Sequence, residues 1–265
     1  MLREEQMLNT LNIAARTLRE GKKVSAAWLQ AGSSITSEIL AQAGFDVLVV
    51  DLEHGPGDII ALIGQIQAMK GEVAVPFVRV PWNDPVWIKR VLDAGAYGLL
   101  VPSISSRAEA EAAVKAMKFP PQGNRGIAGS PRSASYGKNA GAYFDSANTE
   151  TFLFVQIETP GGVAELDDIL AVEGVDGVFI GPTDLAATHG FRGRQDDPAI
   201  GQIISQIEQK VLASNKILAS ICSDFGDAKA KYERGYQMVI LMHDTVTLGK
   251  MANELVSRFQ SEVNL

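Results

Sequence analysis

The chain has 265 residues, a formal net charge of −7, and 46% hydrophobic and 21% charged residues, the profile of an ordinary globular protein. The acidic balance argues against nucleic acid and anionic membrane as partners, because a phosphate footprint needs clustered Lys and Arg. It leaves room for an anionic small substrate, which a single buried arginine can hold.

The one cysteine, Cys222, allows no intrachain disulfide, the charged start from Met1 to Gln6 lacks the apolar core of a signal peptide, and no stretch approaches a membrane span, so a cytoplasmic protein is expected. Residues 1–23 form a leading segment, in which 4–21 read as an amphipathic helix ending at Gly21. Short apolar runs then alternate with helical patterns. Strands are expected at 24–29, 46–51, 74–80, 97–102, 152–158, 176–181, 217–222 and 237–242.

The helices between them have readable boundaries. Asn83 or Asp84 before Pro85 opens one helix, and Gly95 closes it. Ser105 or Ser106 opens a run of Ala, Glu and Lys that stops at Pro120-Pro121. Pro198 starts a helix reaching about residue 214, and Gly235 ends the one before the last strand. The connection from 120 to 151 is long and rich in Gly, Ser and Ala, which suits a subunit contact, a wrap-around segment or a lid.

Strict strand–helix alternation, with strands of Val, Ile and Leu, implies a parallel sheet covered on its outside. Eight such units over residues 24–260 favour closure into a single (β/α)8 TIM barrel. The rival open sheet would carry a Gly-rich phosphate turn after its first strand. There the chain reads Gln30-Ala31-Gly32-Ser33-Ser34 instead.

Polar residues gather at the carboxyl ends of these strands, the catalytic face of such a barrel. Glu158 and Asp184 follow neighbouring strands, close enough to share one oxygen-liganded cation such as Mg²⁺ or Mn²⁺. A salt-bridged rim glutamate and a helix-capping aspartate are the bland alternatives. His54 follows a strand directly, and Asp51 could orient its imidazole for general-base duty; Glu53 between them should point elsewhere. Arg79, near the end of an apolar strand, needs an anionic partner or ligand, and Asp51 or Glu53 could serve structurally. Asp93 sits in the last turn of its helix, where the macrodipole disfavours an anion. Facing away from His54, it could act only across a subunit boundary; otherwise it is a surface aspartate. No lysine falls at the carboxyl end of an expected strand, so a Schiff-base aldolase lacks its nucleophile.

Five ordered segments, AGFDVLVVDLEHGP, VRVPWNDPVWIKRVLDAGAYGLLVP, FPPQGNRG, VQIET and VEGVDGVFIGPTDLA, resemble the metal-dependent (class II) pyruvate aldolases of the HpcH/HpaI aldolase family. The likeness spans about residues 24–258. It implies reversible cleavage of a 4-hydroxy-2-oxoacid to pyruvate and an aldehyde through a metal-bound pyruvate enolate, with Mg²⁺ or Mn²⁺, and Co²⁺ as a further option. By position, it makes Glu158 and Asp184 the metal ligands, Gln156 and Thr183 contacts of the 2-oxoacid, His54 the acid/base group and Arg79 the oxyanion partner. Asp51 and Asp93 match acidic residues that support the histidine, and the assembly implied is a homohexamer. Thr183 stands where many members have Ala or Ser, and Leu241-Met242-His243-Asp244 where others have a smaller Gly-Val-Asp. His243 could add a contact near the site or serve packing alone. The rival readings are an oxaloacetate decarboxylase or macrophomate-synthase-like enolate enzyme, and a non-catalytic 2-oxoacid-binding barrel.

Overall fold

The structure, a computed structural model, describes residues 11–263. Its strands are β1 (Val24–Leu29), β2 (Val47–Asp51), β3 (Val75–Arg79), β4 (Gly98–Val101), β5 (Phe152–Ile157), β6 (Gly177–Ile180), β7 (Ile217–Ile221) and β8 (Met238–His243). They pair in sequence order, all parallel, and β8 returns to β1 to close the barrel. Each strand falls on a run expected from the sequence, and the (β/α)8 barrel is the observed fold. The helices are α1 (Ile13–Arg19), α2 (Ser34–Gln42), α3 (Ile59–Ala68), α4 (Pro85–Ala94), α5 (Arg107–Met117), α6 (Ala140–Glu150), α7 (Pro160–Ala164), α8 (Leu166–Leu170), α9 (Pro182–Thr188), α10 (Pro198–Leu212), α11 (Phe225–Glu233) and α12 (Asp244–Glu262). No helix among the described residues is long and apolar enough to cross a membrane.

Strands β2 to β6 are buried along their whole length because both faces pack. The inner faces fill the barrel with Ala26, Val49, Phe77, Leu100, Phe152, Phe154, Phe179 and Met238. The outer faces set Leu48, Val78, Leu99 and Val155 against helical Leu62, Ile88, Leu92 and Val211. Burial of each such large side chain is worth about 1.5–3 kcal/mol. Two buried faces explain why the strands read as unbroken apolar runs.

The helix boundaries follow their caps. The Asp84 carboxylate accepts from the Val86 and Trp87 amides ahead of Pro85, and Gly95 closes α4 in a left-handed conformation at φ 105°. Ser106 caps α5 through the Glu109 amide.

Two expectations need correction. Part of the expected lead-in helix, residues 4–10, lies outside the described residues, and within them the helix begins only at Ile13. Buried Asn12 caps it, accepting from the Ala15 amide while donating to the carbonyls of Tyr97 and Glu150. The 120–151 connection is not a bare loop, since it holds a 3₁₀ turn at Arg132–Gly137 and then α6. It wraps the end of α4, where Arg132 donates to the Ala94 carbonyl and buried Arg125 pairs with Asp93 at 2.7 Å. The Arg125 guanidinium also lies over Phe119, at 4.4 Å from the ring centre.

One irregularity shapes the barrel mouth. Along the β1–β8 pairing, Ala26 faces Ile240 but Ala27 faces Met242, so Leu241 is an extra residue in a bulge. Trp28 and His243 thereby become register partners.

Candidate active site

Seven of the eight residues singled out from the sequence lie at or just beyond the carboxyl ends of strands. Asp51 and Arg79 end β2 and β3 as direct register partners. Gln156 lies within β5 and Glu158 follows it, whereas Thr183 and Asp184 occupy the first turn of α9 just beyond β6. Asp93 is the exception. It sits in the last turn of α4, held by Arg125, and the structure does not bring it to His54 within the chain.

Arg79 is gripped from two sides. Its Nε and Nη2 donate to Asp51 at 2.9 and 2.7 Å, and Nη1 lies 3.0 Å from a Glu53 oxygen. The guanidinium also lies over the Trp28 ring at 4.6 Å. Burial pushes the Asp51 carboxyl up, but Arg79 and the His54 amide outweigh it and hold the group below the ordinary carboxylate range.

The chain beyond β2 departs from the expected geometry. Asp51 Oδ1 accepts from the amides of Glu53 and His54, which folds the backbone into a tight turn. Strand alternation ends there. Glu53 takes up the pairing with Arg79 that the sequence allowed, and the His54 side chain is left 57% exposed. Asp51 therefore meets His54 through the backbone and not the imidazole, because both carboxylate oxygens are committed to Arg79. The nearest acid to the imidazole is Glu53, with 4.0 Å between His54 Nε2 and Glu53 Oε1.

Glu158 is the opposite case, a carboxylate only 3% exposed. Its Oε1 accepts from the amide and hydroxyl of Ser103 at 2.7 and 3.2 Å, and its Oε2 from Gln156 Nε2 at 2.8 Å. Ser103 adopts φ 56°, a left-handed conformation that serine takes at a cost of order 1 kcal/mol. Gly181 flanks the same carboxylate, and a Cβ there would collide with Glu158 Oε2. Burial drives the Glu158 carboxyl above its ordinary value, and the charge of Asp184 adds to it against the Ser103 and Gln156 donors. Glu53 is raised too, chiefly by burial, with Glu158 among the charges that disfavour its ionisation.

Among the described residues, Asp51, Glu53, Glu158 and Asp184 thus cluster with Arg79 at the mouth, a set rich in negative charge. A divalent cation would offset that negative charge, and an oxygen-only donor set suits a hard divalent cation. Among the described residues no cluster of three or more His, Cys, Asp or Glu side chains could hold a metal alone. Gln156 Oε1 is buried without a partner beside Glu158, a free acceptor facing the same region. Thr183 is exposed, with its hydroxyl 3.5 Å from Gln195.

Several contributors carried no signal in the sequence. Ser103, Gly181 and Trp28 look like loop or packing residues by type. Asp244 ties the start of α12 to the loop after β1 by accepting from the Gln30 and Ala31 amides and the Thr36 hydroxyl. Only their position at strand ends could have marked them.

A sequence model of the HpcH/HpaI aldolase/citrate lyase family matches residues 25–249. The hydroxypyruvate/pyruvate aldolase of Agrobacterium fabrum is 40% identical over 243 residues, covering 92% of this chain and 91% of that protein. The 5-keto-4-deoxy-D-glucarate aldolase of Salmonella paratyphi C is 40% identical over 233 residues, or 88% and 91% of the two chains. A crystal structure of an HpcH/HpaI aldolase/citrate lyase family protein from Burkholderia cenocepacia superposes with a TM-score of 0.90 at 32% identity, covering 94% of this chain and 99% of that one. With a matched region that contains every strand end described above, the chain belongs to the HpcH/HpaI aldolase/citrate lyase family.

Proposed function

We propose that this carbon–carbon lyase is a divalent-cation-dependent aldolase that reversibly cleaves a 4-hydroxy-2-oxoacid into pyruvate and an aldehyde. The observation that carries the reading is the buried Glu158, set beside Asp184 at the ends of β5 and β6, with Arg79 across the same mouth. Glu158 and Asp184 would hold the cation, Mg²⁺ or Mn²⁺ with Co²⁺ as a further option, which when bound supplies Lewis acidity to the 2-oxoacid oxygens.

The chain's own residues do the rest. At most three of the five Arg79 N–H groups are directed at Asp51 and Glu53, so two remain for the oxygen that gains charge as pyruvate enolises. Because Asp51 and Trp28 fix the guanidinium, it needs no reorientation during the reaction. His54, exposed at the rim, takes the proton from the 4-hydroxyl in cleavage and exchanges the pyruvate methyl proton in the half-reaction. Glu53 and the Asp51 turn position it. Gln156 and Thr183 contact the 2-oxoacid, Gln156 offering its unpartnered carbonyl oxygen.

Residues 24–260 act as one catalytic domain in a cytoplasmic homo-oligomer, a hexamer by the family resemblance. Two features support assembly. Asp93 closes α4, at the barrel end opposite the turn that carries His54, and among the described residues α12 buries only Asp244 along its length, whereas α10 buries Ile200, Ile207 and Val211.

Pyruvate methyl-proton exchange in deuterium oxide, followed by NMR, tests the reading. Exchange should require Mg²⁺, Mn²⁺ or Co²⁺, vanish with chelator and vanish in His54→Ala. Exchange that survives chelation would overturn the cation assignment, and its absence with every metal would overturn the aldolase.

A further inference from the structure

His243 is the one histidine in β8, and a specific irregularity turns it into the barrel. Met238 and Ile240 face inward, so plain alternation would put Met242 there next. The bulge at Leu241 reverses the faces, and His243 becomes the register partner of Trp28. The two rings stack, 5.7 Å between centroids and 17° between planes. The same indole carries the Arg79 guanidinium. His243 is therefore one ring removed from the group that faces the 2-oxoacid.

The imidazole is half-buried, and neither ring nitrogen hydrogen-bonds to another described residue. Burial, with Arg79 second, pushes its pKa down against the opposing pull of Asp244 and Asp51. A neutral imidazole presents one donor and one acceptor, the complement of a hydroxyl group. Packing on Trp28 alone does not call for that chemistry, since an aliphatic side chain would cover the indole equally well.

We propose that His243 hydrogen-bonds a hydroxyl group of the substrate and sets a preference for hydroxylated over unhydroxylated substrates. The inference rests on the aldolase reading above and adds a specificity residue to it. The hydroxyl has two possible sources, the carbon chain of the aldehyde acceptor and the C3 hydroxyl of a 3-hydroxy-2-oxoacid donor.

The test measures kcat/KM for two matched pairs in wild type, His243→Val and His243→Gln. One arm compares glycolaldehyde with acetaldehyde as acceptors for pyruvate; the other compares hydroxypyruvate with pyruvate as donors to a common aldehyde. In His243→Val the preference for the hydroxylated member should fall by about five- to thirtyfold in the arm whose hydroxyl meets the imidazole, the effect of one hydrogen bond lost from a partly dry site. His243→Gln, which keeps a donor and an acceptor, should recover part of it, and the other arm's ratio should hold. Unchanged ratios in both arms, or an equal loss for both members of each pair, would overturn the assignment and leave His243 as a packing residue. Wild-type protein without pyruvate exchange under any metal would sink the aldolase reading and this inference with it, whereas exchange with unmoved ratios sinks the inference alone.

Discussion

Asp51 and Arg79 are direct register partners on adjacent strands and share two parallel hydrogen bonds of 2.9 and 2.7 Å. The pair is nearly dry, with side chains 0% and 10% exposed. Removing one partner from such a pair leaves a buried charge alone, which costs more than the pair contributes. Arg79→Met should therefore destabilise the fold by roughly 3–5 kcal/mol in urea denaturation. The double variant Asp51→Asn/Arg79→Met should recover much of that loss. Equal stability of the single and double variants would show that the ion pair is not what the site is built around.

Acid should act through the same pair. Asp51 is held below its ordinary carboxylate value of 3.8 in the folded chain, so the folded state releases this proton more readily than the unfolded state. Its stabilisation is complete above that ordinary value and is lost as pH falls through the lowered folded one. Thermal unfolding midpoints should drop steeply below about pH 4 in wild type. In Asp51→Asn the slope over that window should be shallower; an identical slope would assign the acid sensitivity to other carboxylates.

Gly181 tests the seat of Glu158. A methyl group at this position would overlap Glu158 Oε2, so Gly181→Ala should displace the carboxylate from Ser103 and Gln156. Loss of such supporting contacts lowers metal affinity by about 10–100-fold. An Mn²⁺ titration followed by electron paramagnetic resonance should show that weakening. A wild-type Mn²⁺ affinity in the variant would remove Glu158 from the ligand set.

Much of this site could be read before any coordinates. Both faces of a parallel barrel strand are buried, so the strands announce themselves as apolar runs, and a charged residue closing such a run stands out. Asp51, Arg79, Glu158 and Asp184 were visible for that reason. Two kinds of feature were not. The turn that leaves the His54 side chain outward depends on which backbone amides Asp51 accepts from, and no residue-type pattern specifies that. The bulge that turns His243 inward depends on a register between strands more than 200 positions apart in sequence, as Ala27 and Met242 are. Ser103 joins them, because its left-handed backbone is set by the hydrogen bonds to Glu158 and not by any turn residue.

The outer face of α12 is the place to test assembly. Along α12, Leu248, Met251, Leu255 and Phe259 recur at three- and four-residue spacing and are all more than half exposed. Left uncovered among the described residues, a stripe of this kind suits contact with another copy. Leu255→Glu with Phe259→Glu should cost a single chain less than about 1 kcal/mol, because both side chains are already exposed in it. In sedimentation velocity the double variant should nevertheless shift to smaller species. Pyruvate exchange should fall in step with the loss of assembly, since Asp93, fixed by Arg125 at the far end of α4, can reach a His54 only in a neighbour. Full exchange by a dissociated variant would return Asp93 to a structural role, as the partner that neutralises buried Arg125.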